Sequence, residues 1–307
     1  MSASVPRVAV SVLHFGAKAD TLACLASVAA SRTRPAWLFV LDNGTGSLDS
    51  AEVTAAAPGA SLLRVPENLG FAGGHNLLVR QALDAGATHV MLLNNDAVVD
   101  PGCLEALVHA AAAPRVGAVG AKVLAADDPG RLWLAWGRVT WRAALVERVG
   151  RGAPDAPPFD RAREVEWVPG CAMLLARDAL EAVGGLDERF FAYHEDVDWC
   201  VSARAHGFRI LFAPDARVIH RGEGSLADRG AANPARYLSA RNSVLFARKH
   251  AGPLEWLRLA LSVGASLPLE GLRARRRGEG GVARLLWRGY RDGLFRRDLP
   301  LQELGLR

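Results

Sequence analysis

Four apolar runs punctuate the first third of the chain, and each stops abruptly at polar side chains: "RVAVSVLHF", "AWLFVLDN", "SLLRVPEN" and "THVMLLNND". Helical patterns stand between or after them, over residues 19–30, 73–85 and 101–112, the last with Pro101 in its first turn. Strands that are apolar on both faces belong to a parallel sheet covered by helices on both sides. The pattern therefore predicts an α/β protein with a Rossmann-like, mostly parallel sheet. A chain of 307 residues has room for that sheet and an appendage. Further on, "EVEWVPGCAMLLAR" predicts a strand, "RDALEAVGG" a helix, and "FRILFAPDARVIH" a bent strand, while "RGAPDAPPFD" predicts a loop. From Pro234 the pattern is helical and basic, so the division is expected to be an α/β domain over 1–232 and a basic helical region over 233–307.

An open parallel sheet binds ligands at the carboxyl ends of its strands. The polar residues found there are His14, Asp42 with Asn43, Glu67 with Asn68, and Asn94, Asn95 and Asp96. Any one of them serves equally well as a cap or a turn; together on one rim they favour a polar ligand. Neither the dinucleotide fingerprint after the first strand nor a P-loop is present, so a bound nucleotide needs another counter-charge, and a divalent cation is the usual one. Asp96 offers a carboxylate and Asn94 an amide oxygen, both hard ligands suited to Mg²⁺ or Mn²⁺, although a strand-to-turn pair reads the same way. "ENLGFAGGHN" is a glycine-rich loop opening a helix, in which Gly70, Gly73 and Gly74 permit close backbone approach and Asn76 follows.

The segment "FFAYHEDVDWC" sets three acids among aromatics. "HEDVDWCVSARAHG" is helical in pattern, with Gly207 as its terminating residue, so Glu195 and Asp196 fall in the first turn, where the helix dipole favours negative charge. The same position in an aromatic-walled cleft suits a general base for a hydroxyl, with Phe190, Phe191, Tyr193, Trp199 and Trp167 expected as the wall that packs against a sugar or the acceptor. Asp198 lies on another side of the turn, placed to orient that base or to pair with an arginine. His220 ends a strand in "VIHRGEGS", where a histidine is most often structural.

Taken in order, "VLDNGT", "ENLGFAGGHN", "LLNNDAVVDP", "GGLDERFFAYHEDVDWCVSAR", "VIHRGEGS" and "YLSARNSVLFARKH" resemble the family 2 glycosyltransferases of the GT-A fold, in particular their bacterial rhamnosyltransferase-like branch. The resemblance implies an inverting, metal-dependent transfer from a nucleotide-diphosphate sugar, with dTDP or UDP as the nucleotide, to a glycan or lipid-linked acceptor in cell-surface polysaccharide synthesis. "NND" stands where the family has its D-x-D motif, so Asp96 matches the metal-binding position and Asn94 replaces the first acid. By the same likeness Asp42 reads the nucleobase, Asn95 lies near the ribose, Asp196 is the base with Glu195 beside it, and His220 completes the metal site. His14-Phe15 departs from the Tyr-Asn that many members carry. Two rival readings are a sugar-1-phosphate nucleotidyltransferase, which calls for a basic glycine-rich loop after the first strand, and a non-catalytic sugar-nucleotide-binding module, which calls for a broken base or metal position.

The net charge of +5 is concentrated at one end: residues 271–307 hold ten Arg against four acids, leaving about −1 for the rest. That distribution argues against nucleic acid and for a local anionic partner. Val282, Leu285, Leu286, Trp287, Tyr290 and Leu294 recur at helical spacing among Arg284, Arg288 and Arg291, the pattern of a helix lying on an anionic membrane. The alternative is a stripe packed on the catalytic domain or on a second copy in a homo-oligomer. No apolar stretch reaches the ~20 residues of a spanning helix, and the four cysteines are dispersed. The expectation is a cytoplasmic protein, peripheral on the inner face of the plasma membrane.

Overall fold

The computed structural model describes residues 6–222, 233–276, 281–295 and 298–306. The expected division at residue 232 falls outside them. Four strands, β1 (Val8–His14), β2 (Trp37–Asn43), β3 (Ser61–Val65) and β4 (His89–Asn94), run parallel in the order β3-β2-β1-β4. Every residue of β1 is buried. Val8, Val10 and Val12 pack with Cys24, Leu25 and Val28 of α1 (Lys18–Ala29), whereas Ala9 and Leu13 join a second core with Leu78 and Val79 of α3 (Gly70–Asp84). One strand thus feeds two cores through the period-2 alternation of its side chains.

Local signals account for most differences from the expected elements. A short helix that the sequence pattern does not announce, α2 (Ser50–Ala56), is capped by Asp49 accepting from Ala51 N. The helix expected from residue 73 begins at Gly70, whose φ of 72° and 2.5 Å clearance between a built Cβ and the Phe191 carbonyl both exclude a side chain. After β5 (Ala97–Val99) comes α4 (Cys103–Ala111), with Pro101 in the turn before it and not in its first turn.

The sequence offers no strand signal for β6 (Val116–Ala125), yet it is central, because Gly117, Ala118, Gly120 and Ala121 keep it thin where neighbours crowd it. Next come β7 (Leu132–Leu134) and the hairpin β8 (Trp136–Val139) with β9 (Val146–Val149). The strand expected over residues 164–177 divides at Pro169 into β10 (Arg163–Glu164) and β11 (Ala172–Ala176). β11 runs antiparallel between β4 and β6, so the sheet is mixed, though mostly parallel. Then follow α5 (Arg177–Val183), α6 (Glu195–Ala205) and β12 (Arg209–His220), which shifts register against β6 between Ala213 and Arg217, the expected bend.

The tail folds as α7 (Pro234–His250), α8 (Pro253–Arg276) and α9 (Val282–Leu294). The apolar stripe of α9, expected to lie on a membrane, is largely used within the chain. Gly289 lets α9 approach α7 so closely that a Cβ there would sit 2.5 Å from the Tyr237 carbonyl, Val282 is buried, and Tyr290 Oη donates to Ala143 O at 3.1 Å. Trp287 and Leu294 remain exposed on it. Among the described residues no helix is long and apolar enough to cross a membrane.

Candidate active site

A cavity of about 700 Å³ opens over the carboxyl ends of the strands, bounded by the β8–β9 hairpin, the start of α6 and the tail. Among the residues expected at the site, Asn43, Asn68, Gly70, Asn94, Asn95, Asp96, Trp167, Tyr193, Glu195, Asp196 and His220 all line it. They come from five elements and the loops between them, so the cavity exists only in the folded chain.

The acids arrive at the cavity through an unusual turn. Phe191, Tyr193 and His194 have φ of 64°, 70° and 72°, left-handed values that non-glycine residues avoid. Asn242 of α7, fully buried, holds this turn: its Nδ2 donates to the carbonyls of Phe190, Ala192 and Tyr193 at 2.9, 2.8 and 2.8 Å. The turn delivers Glu195 and Asp196 at the first residues of α6. Asp196 accepts from Gly170 N at 2.9 Å through Oδ2 and from Val197 N at 2.8 Å through Oδ1. Burial raises its pKa, opposed by those two N–H groups and by the Arg148 charge. Glu195 is 5% exposed and its Oε2 has no partner among the described residues; burial first, then the neighbouring Asp196 charge, push its pKa well above the ordinary glutamate value.

At the other side of the cavity His220 Nε2 stands 2.9 Å from Asp96 Oδ1 and 3.1 Å from Asn94 Nδ2. Burial works against ionisation of Asp96, but the hydrogen bond and charge of His220 outweigh it and hold the carboxyl below its usual range. The Trp133 ring meets His220 edge-on at 4.5 Å. Among the described residues no three His, Cys, Asp or Glu side chains converge as a closed metal cage. One carboxylate and one imidazole on a cavity wall nevertheless suit a hard divalent ion that completes its shell with substrate phosphate oxygens and water.

Five expected site residues lie elsewhere, each because its polar atoms are satisfied inside the fold. His14 bonds Thr21 through Nδ1 and Ser47 through Nε2. Asp42 is 1% exposed and its carboxylate accepts from Thr45, Gly46 and Leu48 N–H groups, closing the turn after β2. Asn76 is tied to Leu186 N and O and to Glu188. Trp199 is buried in the core with its indole donating to Gly184 O at 2.9 Å. Asp198 pairs with Lys249 and His250 of α7, each at 2.7 Å, where an arginine was expected. Arg148, Arg151, Gly170, Leu286 and Leu306 also line the cavity, with Asn242 behind it, and no local sequence signal marks any of them as part of the site. Asn242 sits inside "YLSARNSVLFARKH", whose order marks the resemblance without revealing the residue's task.

A mixed α/β sheet, a carboxylate–imidazole pair at the end of β4 and a second carboxylate at a helix start across one cavity define a glycosyltransferase of the GT-A fold. The chain belongs to glycosyltransferase family 2: the model described as "Glycosyltransferase like family 2" matches residues 6–239. It is 30% identical to the N-acetylglucosaminyl-diphospho-decaprenol L-rhamnosyltransferase of Mycobacterium tuberculosis over 291 residues, covering 82% of this chain and 90% of that one. It is also 30% identical over 87 residues to the dTDP-rhamnosyl transferase RfbF of Shigella flexneri, 26% of this chain and 29% of the other. Among solved structures, the mannosyltransferase PcManGT from Pyrobaculum calidifontis in complex with GDP-Man and Mn²⁺ shares the fold with a TM-score of 0.59 at 18% identity, over 95% of this chain and 88% of that one. The nucleotidyltransferase and non-catalytic readings give way to this family membership.

Proposed function

We propose that the chain is an inverting rhamnosyltransferase that takes its sugar from a dTDP- or UDP-linked donor and adds it to a lipid-linked diphospho-sugar or glycan in cell-surface polysaccharide synthesis. The observation that carries this reading is the placement of Asp196 in the same cavity as Asp96 and His220. Both named relatives are rhamnosyltransferases, and one acts, by its name, on a diphosphate-linked lipid.

Asn95 gives the rim a polar group for the nucleotide, while Asn43 and Asn68, which also line the cavity, bond each other and the Leu69 and Gly70 N–H groups and so hold the start of α3 against it. Asp96 and His220 would hold Mg²⁺ or Mn²⁺, which when bound neutralises the diphosphate of the donor. Asp196 takes the proton from the acceptor hydroxyl as that oxygen bonds to the anomeric carbon and the bond from that carbon to the diphosphate oxygen breaks, inverting the centre. Its raised pKa suits proton acceptance, and the Gly170 N–H fixes its orientation. Trp167 and Tyr193 offer aromatic surface to a sugar ring.

A screen of sugar nucleotides by hydrolysis, with and without Mn²⁺, tests donor and metal together. Asp196→Asn should lower transfer by about 10²–10⁴-fold while nucleotide binding persists. Near-wild-type turnover in that variant would move the base role to Glu195. In calorimetry of a nucleoside diphosphate with Mn²⁺, Asp96→Ala should lose the metal-dependent affinity and His220→Ala should weaken it. Unchanged affinity in both would mean a site that works without metal.

A further inference from the structure

One wall of the cavity is lined by hydrogen-bond donors that meet no acceptor among the described residues. Gly137 of β8 is paired with Arg148 of β9, and residues directly opposite in a ladder face the same side. On that side a Cβ at Gly137 would overlap the Trp167 indole, so the glycine seats the ring next to Arg148. Trp167 is 3% exposed, and its Nε1–H is buried without a partner among the described residues. Arg148 and Arg151 both line the cavity, and among the described residues neither guanidinium makes a hydrogen bond or an ion pair. Both arginine side chains are exposed, so an anion can reach them from solvent.

Two guanidiniums and an indole N–H are donors only, and two adjacent cations repel unless an anion lies between them. Planar guanidinium forks match phosphate oxygens. Gly170, three residues after Trp167, donates to Asp196 Oδ2 at 2.9 Å, which ties this wall to the base, while Arg151 also lines a second cavity that reaches Asn95 and Asp96. The group nearest the base is the acceptor, because its hydroxyl must reach Asp196. We propose that Arg148, Arg151 and the Trp167 Nε1–H clamp a phosphate or diphosphate carried by the acceptor, so that the protein selects sugars presented on a phosphate-linked lipid. This assignment rests on the transfer reading above.

The test uses the full chain and three probes: N-acetylglucosamine joined through a diphosphate to a short prenyl chain, the same sugar on an alkyl chain without phosphate, and the short prenyl diphosphate alone. Arg148→Gln should raise KM for the diphosphate acceptor about 10- to 100-fold and collapse the preference over the phosphate-free sugar. Trp167→Phe, which keeps an aromatic ring and removes the N–H together with the five-membered ring that carries it, should weaken the same preference, and Arg148→Lys should restore part of it. Binding of the nucleoside diphosphate should survive in all three. Should Arg148→Gln instead abolish nucleotide binding, the clamp belongs to the donor and the proposal falls. If the wild type glycosylates neither sugar, the acceptor reading fails separately, and calorimetry with the prenyl diphosphate still decides. Binding that is lost in Arg148→Gln upholds the clamp; no binding by the wild type overturns it.

Discussion

Glu195 is the most exposed to consequence of any single residue here, because its carboxylate is buried with one oxygen unpartnered among the described residues. Such a group keeps its proton in the folded state over a pH range in which the unfolded chain has lost it. Its folded pKa lies above the unfolded one, so the stability linked to it is complete below the ordinary glutamate value and declines as pH rises through the raised one. Glu195→Gln removes that dependence. Its melting temperature should exceed that of the wild type by a margin that grows from pH 5 to pH 8, at about 2–4 °C for each kcal/mol. A constant margin in thermal melts would mean that the carboxylate is ionised and satisfied throughout. At this scale the sequence was legible where a motif is local. Asn94, Asp96, Glu195 and Asp196 stand in short strings whose spacing alone puts them at a strand end or a helix start. His14, Asp42, Asn76 and Trp199 misled because a polar group is defined by its partners, and theirs come from other segments or from a turn whose closure leaves no open atom.

At the scale of elements, α6 depends on α7 for its position. Three left-handed residues, each costing roughly 1–2 kcal/mol, precede the acids, and the Asn242 amide braces this turn by donating to the carbonyls of Phe190, Ala192 and Tyr193. Asn242→Asp replaces the donor by an oxygen facing three oxygens in a buried place. The expected cost is about 3 kcal/mol or more. Denaturant melts should show it, and kcat should fall further than nucleotide affinity because Glu195 and Asp196 follow this turn directly. Asn242→Ser, milder, should show the same order of effects if the aspartate variant fails to fold. Unaltered kcat in a folded variant would mean that α6 is positioned by its other tie, Asp198 to Lys249 and His250. The parallel strands were readable from their apolar runs. β6 and the β8–β9 hairpin were not: the first is built of small residues with weak strand preference, and the second is two four-residue strands whose apolar and charged residues do not alternate cleanly.

For the whole molecule, the tail serves the catalytic cavity more directly than a basic appendage would. Leu286 and Leu306 line the cavity, and Asn68 on the cavity rim donates to Leu306 O at 2.9 Å. Sequence periodicity identified an amphipathic tail helix but not which helix keeps a free face, since that depends on the packing of α9 against α7. The free face belongs to α8. Leu254, Leu257, Leu261, Leu269 and Leu272 are each 54–65% exposed and share one side of the helix, with Arg258, Arg273, Arg275 and Arg276 exposed among and beyond them. Leucines flanked by arginines suit the surface of an anionic bilayer, to which each arginine contributes about 1 kcal/mol. The hairpin that carries Arg148 reaches this helix, for Ala143 N donates to Ser262 Oγ at 3.0 Å. A bilayer under α8 would therefore bring lipid headgroups towards the proposed clamp. We expect the protein to sediment with vesicles containing anionic lipid at low salt and to be released at high salt. A variant with Leu254, Leu257 and Leu261 all changed to Ser should stay in the supernatant with its fold intact by circular dichroism. A wild type that remains soluble with those vesicles at low salt would end the membrane reading. A dimer in analytical ultracentrifugation that the same triple variant dissolves would assign the leucine face to a second copy of the chain.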